Sequence, residues 1–314
     1  MAKMTRRGGK RKYDWMQTKL SFQETVVNAS SPYADSLYID VGRCLSLLNR
    51  KLVRQGHLYR IKGMRIWSSD DDTFRFKVST VPTNWVARNA WVKAKALWDE
   101  MNSLGSANVG AQSMYPKYHD FKVYMNSGHK TQGSSILPRD VDGQEVSTTS
   151  SHWDYSEFSD SGSTSDNYDV KFLGAHDGSP DNFTCVGIID AYGESRVKPQ
   201  LNDPVMPTGF ATSPWAALFG DDDQTQDILA DLDAHNDGPP YPPSIYIGGG
   251  TDDGGFGVGT GTVGKSTAAP QGYTVQSFTA PCGLIRVEID DNDSLESQTI
   301  HIDFDVEILG PMDM

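Results

Sequence analysis

Six cations stand within the first twelve residues, MAKMTRRGGKRK: Lys3, Arg6, Arg7, Lys10, Arg11 and Lys12, with no acid among them. Their chemistry is electrostatic, since six such charges neutralise about six phosphates and hold nucleic acid without reading its sequence. Gly8 and Gly9 let the backbone follow an irregular strand. A basic cluster of this size serves equally as a nuclear import signal, and the two uses are compatible. The chain behind it is acidic. The formal net charge is −13, made of +10 over residues 1–100 and −23 over the remainder. An acidic body keeps itself soluble, so a cationic end points to a polyanion met on one side only.

Other residue patterns name chemistries that their surroundings do not support. Gly259–Ser266, GTGTVGKS, fits the phosphate-loop spacing G-x-x-x-x-G-K-[ST], and its first six residues also fit G-x-G-x-x-G. Such a loop must follow a buried strand and open a helix whose N–H groups hold phosphate. Here GGGTDDGGFGV precedes it, and Pro270 and Gly272 fall where the helix should run. The seven histidines form no H-x-x-x-H or H-E-x-x-H pair, and Asp231, Asp233 and Asp237 break the EF-hand pattern at its central glycine. Glu288, Asp290, Asp303, Asp305 and Glu307 crowd two predicted strands and could form a Ca²⁺ site, but a solvated acidic face is the simpler expectation. No G-x-S-x-G elbow occurs, and no cysteine has a nucleophile's context. We therefore expect no catalytic residues, no metal and no cofactor, and a protein that is not an enzyme.

The elements that would position the cations follow from periodicity. Asp40 caps a predicted helix running to about Arg54, with Leu45, Leu48, Leu52 and Val53 on one side and Gly56 as its stop. Arg43, Arg50 and Arg54 form a stripe on the opposite side, where a solvated face and a phosphate-facing one fit equally well. Residues 58–67 and 73–81 read as strands joined by a polar turn. Phe74, Phe76 and Val78 alternate with Arg75, Lys77 and Ser79, and Arg60 and Lys62 extend the cationic surface this suggests. Asn84 to Asn102 reads as a helix whose stripe of Trp91, Ala94, Trp98 and Met101 suits core or subunit packing better than base stacking.

Beyond residue 105 short strands separated by polar loops are expected at 121–125, 152–158, 167–173, 183–189, 273–278, 283–289 and 299–309. The last is the clearest: Ile300, Ile302, Phe304, Val306 and Ile308 alternate with His301, Asp303, Asp305 and Glu307. Residues 221–235 could form an acidic helix. The 30 glycines and 16 prolines imply many turns, and 314 residues suit one large domain with a tail. No stretch is apolar enough to span a bilayer and no secretory core follows the basic start, so no membrane is expected as a partner. Cys44, Cys185 and Cys282 are predicted to be buried free thiols.

A basic arm, then a strand-rich body with long polar loops, then the closing alternation TIHIDFDVEIL, resembles in layout the single jelly-roll capsid proteins of small viruses, those of circular single-stranded DNA viruses most of all. The resemblance implies an all-β fold: an antiparallel jelly-roll β-sandwich of eight strands, with a few short helices in insertions and a flexible basic arm. It implies residues 1–30 as the arm and 31–314 as one shell domain. It implies a homo-oligomer of on the order of 60 or more copies closing an icosahedral shell in the virion, a genomic nucleic-acid partner, single-stranded DNA by family, a host receptor, and passage through the host nucleus during assembly. The arm residues Lys3, Arg6, Arg7, Lys10, Arg11 and Lys12 would bind the genome, joined by Arg43, Arg50 and Arg54, because many capsid arms are longer and richer in arginine than this one. The expectation from another class is a β-sandwich carbohydrate-binding or adhesive module, such as a phage fibre, using the aromatic residues of HWDYSEF (152–158).

Overall fold

The alternating segments at either end of the chain meet as neighbours in one sheet. The computed structural model describes residues 16–26, 35–68, 73–108, 120–132, 135–146, 153–159, 167–179, 182–195, 246–266, 269–270, 272–291 and 298–312. The first sheet runs β1 (Lys19–Val26), β15 (Gln298–Pro311), β3 (His57–Ser68) and then, both on β3, β12 (Tyr273–Val275) and β13 (Phe278–Pro281). The second runs β2 (Asp35–Asp40), β14 (Leu284–Asp291), β4 (Phe74–Thr80) and β9 (Phe256–Val263). Every pairing within these two sheets is antiparallel. With β12 and β13 taken as one interrupted strand, eight strands pair first with last, second with seventh, third with sixth and fourth with fifth.

The inward residues of both sheets fill one core. Ile300, Ile302, Phe304 and Val306 of β15 lie against Leu20, Phe22, Ile61, Phe76, Val78, Ile285 and Val287, all buried. Each such side chain contributes about 1.5–3 kcal/mol of transfer free energy, which is what holds two separately hydrogen-bonded sheets face to face. In β3 the apolar phase changes from Tyr59 and Ile61 to Met64 and Ile66 across Gly63, which has a φ of +63°. There Asp303 stands opposite Arg65 and Asp305 opposite Lys62, so β3 carries one extra residue as a bulge.

Lys19–Val26 was expected within the arm and is instead β1. Leu20, Phe22 and Val26 supply an alternation that Glu24 interrupts, and their burial against β15 determines the outcome. The predicted helix to Arg54 is also shorter. Asp40 does cap it, its Oδ1 accepting the Arg43 N–H at 3.1 Å, but α1 is Val41–Asn49 and closes at Arg50 in the left-handed conformation rather than at Gly56. The strands β3 and β4, expected and found as consecutive strands, lie in different sheets.

The connection from β4 to β9 forms a further layer. It holds α2 (Trp85–Asn108), α3 (Ser127–Gln132), β5 (Glu157–Ser159), β6 (Asn167–Lys171), β7 (Asp177–Ser179), β8 (Asn182–Gly187) and α4 (Ile188–Glu194). Its sheet, in order β5-β6-β8-β7, includes one parallel pair, β6 with β8. After β9 come the two-residue strands β10 (Lys265–Ser266) and β11 (Ala269–Pro270). The expected insertion helices were short, whereas α2 has 24 residues and runs through Gly105. Trp91 and Trp98 pack with Phe121, Val123, Phe172 and Leu173, and with Tyr38 and Leu284 of the second sheet. That sheet is thus covered on both faces, and the tryptophan stripe is core, as its spacing predicted. Phe121–Met125, buried except for half-buried Tyr124, was expected as a strand but contributes only an isolated bridge, Tyr124 with Lys171. The three cysteines are buried and free. The predicted acidic helix at 221–235 lies outside the described residues.

Candidate nucleic-acid interface

Lys3, Arg6, Arg7, Lys10, Arg11 and Lys12 lie outside the described residues, but the point from which their segment departs is fixed. Asn49 Oδ1 accepts the Gln17 N–H at 2.7 Å, and Asn49 Nδ2 donates to the Gln17 carbonyl at 2.9 Å. Both backbone groups of Gln17 are therefore held by the last residue of α1. The next residue is Arg50.

Arg43 and Arg50 meet at this corner, and Arg54 lies beyond it, outside the helix that was expected to hold all three. Arg43 lies on α1, where Nη1 donates to the Ser135 carbonyl at 3.3 Å while its buried Nε finds no partner. Arg50 is exposed at the end of α1 with a φ of 51°, a conformation that favours glycine, and has no ion-pair partner among the described residues. Arg54, in the extended run toward β3, has a side chain 58% exposed and lies 3.5 Å from Asp120. The carbonyl end of α1 favours cations beside it. Arg43, Ser46, Arg50, Lys51 and Trp153 line a pocket of about 390 Å³. Lys51 was not singled out in the sequence, and Trp153, grouped there only with the aromatics of 152–158, reaches α1 from the long insertion.

Beneath the pocket lies a buried polar node. Asp40 Oδ2 accepts from Gln55 Nε2 at 2.8 Å, Trp153 Nε1 at 3.0 Å and Tyr155 Oη at 3.4 Å. Burial raises the Asp40 pKa against the hydrogen bonds from the Arg43 N–H, Gln55 and Trp153 and the charge of Arg43. His129 Nε2 lies 3.1 Å from Ser135 Oγ and 3.3 Å from Tyr155 Oη. Serine, histidine and aspartate together invite a catalytic interpretation, which the proton positions oppose. His129 Nδ1 accepts the Met125 N–H at 3.0 Å, so the neutral ring carries its proton on Nε2 and cannot take one from Ser135. Burial, reinforced by Arg43, brings its pKa down to about 3. The node fixes the indole of Trp153 and the start of α1.

The wider cationic surface expected from the strands is neutralised across the sheets. Register places Arg60 opposite Glu307, Lys62 opposite Asp305, Arg65 opposite Asp303, Arg75 opposite Asp290 and Lys77 opposite Glu288. Lys77 Nζ and Arg286 Nη2 approach Glu288 at 3.1 and 2.9 Å, and Lys62 approaches Glu307 at 3.4 Å. The same register dissolves the acidic cluster: Glu288 and Asp290 belong to the second sheet, Asp303, Asp305 and Glu307 to the first.

The phosphate-loop string forms the later part of β9 and all of β10. A Cβ on Gly259 would lie 2.6 Å from Val275 and one on Gly261 2.8 Å from Phe76, so these glycines serve close packing. His176, Asp190 and Glu194 place ligand-type atoms within 4.8 Å of one another. His176 Nδ1 accepts the Gly187 N–H at 3.1 Å, which leaves the proton on Nε2, the nitrogen 3.2 Å from Glu194; this arrangement is a hydrogen bond and does not present a metal ligand. No family model, curated protein or solved structure matches this chain.

Proposed function

We propose that this chain is a single jelly-roll capsid protein, a structural self-assembling molecule rather than an enzyme, which closes an icosahedral shell around single-stranded nucleic acid. The observation that carries the proposal is the strand plan: eight strands paired first with last through fourth with fifth, in two stacked sheets, entered from a cationic segment. A jelly roll of two Greek keys has eight antiparallel strands in two sheets. Clasping Gln17 to Asn49 brings the origin of the arm to Arg43, Arg50 and Arg54, giving a polyanion one side of the molecule to meet. Exposed Leu97 and Leu104 on α2, and Phe256 and Leu309 beside an apolar groove of about 540 Å³, offer surface for contacts between copies. The virion is the proposed location, with the basic cluster as a nuclear import signal during assembly.

The carbohydrate-binding module draws less support. Of the described aromatics in residues 153–158, Phe158 is buried and Tyr155 is turned into the polar node, leaving Trp153 alone beside a pocket.

The test is negative-stain electron microscopy of the expressed protein, with absorbance at 260 and 280 nm on the same size-exclusion peak. Uniform closed particles with excess 260 nm absorbance are expected. Deleting residues 1–12 should leave the particles closed while lowering the packaged nucleic acid. A small nucleic-acid-free species under all assembly conditions, or unchanged packaging by the deletion, would overturn the proposal.

A further inference from the structure

We infer that the pocket at the end of α1 holds one unpaired nucleotide of the enclosed strand, its phosphate on Arg50, Lys51 and Arg43 and its base against the indole of Trp153. The inference rests on the capsid reading and adds a defined subsite to it.

Three features set this pocket apart from an ordinary basic surface. First, its cations are arranged around a concavity of about 390 Å³, within the ~300–1,000 Å³ typical of small-ligand sites. That admits a nucleotide and is far too narrow for a duplex. A paired base lies inside its stack, so a tryptophan reaches it only when the strand is single. Second, the indole is oriented in advance. Its Nε1 donates to Asp40 at 3.0 Å, and the ammonium of the buried Lys122 lies 5.0 Å from the ring centroid. Lys122 does not line the pocket, so the indole surface there remains available to a ligand. Third, the cationic wall contains unused binding capacity. Arg50 is exposed and has no ion-pair partner among the described residues, while the Arg43 Nε that lacks a partner is buried behind the pocket wall. Arg50 also occupies a left-handed position where glycine would fit at lower cost, and strain of this kind retained at a surface is characteristic of functional sites. The arm arrives at the same corner through Gln17, so a strand followed by the arm passes the pocket.

The experiment uses the full-length chain and three labelled probes: a thymidine 12-mer, an abasic 12-mer with the same phosphates, and a heparin oligosaccharide. Affinities are read by fluorescence anisotropy, and an iodouridine-substituted 12-mer is photo-crosslinked and its site mapped by mass spectrometry. The thymidine oligomer should bind about tenfold more tightly than the abasic one, the scale of stacking one base. The crosslink should fall on Trp153. Arg50→Gly, which suits the local backbone, should weaken the thymidine oligomer about threefold while circular dichroism stays unchanged. Equal affinity for the two oligomers, or crosslinks confined elsewhere, would overturn the subsite while leaving the capsid reading in place. Tighter, Arg50-dependent binding of the heparin oligosaccharide would assign the pocket to a sulfated glycan and overturn it as well. Binding of no oligomer, together with particles free of 260 nm absorbance, would remove the capsid reading beneath it.

Discussion

The two stacked sheets and the corner at the end of α1 both carry cations, yet they treat them differently. On β3 and β4 the basic side chains stand opposite carboxylates of β15 and β14, pair by pair. At the corner, Arg43, Arg50 and Lys51 line a pocket, Arg54 lies 3.5 Å from Asp120, and Arg50 has no ion-pair partner among the described residues. A charge written in the sequence becomes a surface charge only where the fold brings no counter-charge to it. The sheet cations help to specify strand register, since like charges directly opposed are unfavourable and opposite ones favourable. The corner cations have no such duty.

Reversing a sheet charge should have the largest effect. Glu288, with a side chain only 8% exposed, faces Lys77 and Arg286. Glu288→Lys should cost about 3 kcal/mol in chemical denaturation, because it buries a third cation beside two; an unchanged midpoint would break the comparison. Acid should come next. His129 is held neutral with a pKa near 3, so the unfolded chain takes up its proton first and stability falls as pH drops below about 6.5. Between pH 7 and 5 this amounts to about 2 kcal/mol. Asp40 has the opposite sign: its raised pKa means stability that is complete below pH 3.8 and is lost as pH rises through the folded value. Comparing the pH profiles of the wild type and His129→Asn isolates the histidine part. Glu307→Gln, at the more exposed pairs with Arg60 and Lys62, should cost under about 1 kcal/mol and less still at high salt. Smallest is Arg50→Gly, whose relief of the left-handed backbone nearly offsets the glycine's added freedom when unfolded. Its stability should stay within about 0.5 kcal/mol of wild type while polyanion affinity falls, separating the corner's cations from those of the sheets.

What could be read in the sequence was what depends on local period. The alternation of Ile300 to Ile308, that of Phe74 to Val78, the Asp40 cap and the tryptophan stripe of α2 all survive because neighbouring residues alone determine them. β1 escaped notice because Glu24 falls where the next apolar residue should stand; its place is set by β15, at the other end of the chain. The early end of α1 escaped because nothing local distinguishes Arg50 as a left-handed residue. For the same reason Arg43, Arg50 and Arg54 could be grouped from sequence, but Trp153 and the neutralising carboxylates could not. Those belong to long-range pairings with no trace in local spacing.

The clasp between Gln17 and Asn49 fixes where the basic segment joins the described fold. Covalent geometry alone confines Lys12 to within roughly 18 Å of Gln17 and Lys3 to within roughly 50 Å. If the proposed subsite holds, a strand seated at α1 would meet the six basic residues at a roughly millimolar effective concentration, however dilute the protein. The two proposed contacts would then act together as a bivalent ligand. Releasing the anchor through Asn49→Ala would lower avidity without removing a single charge.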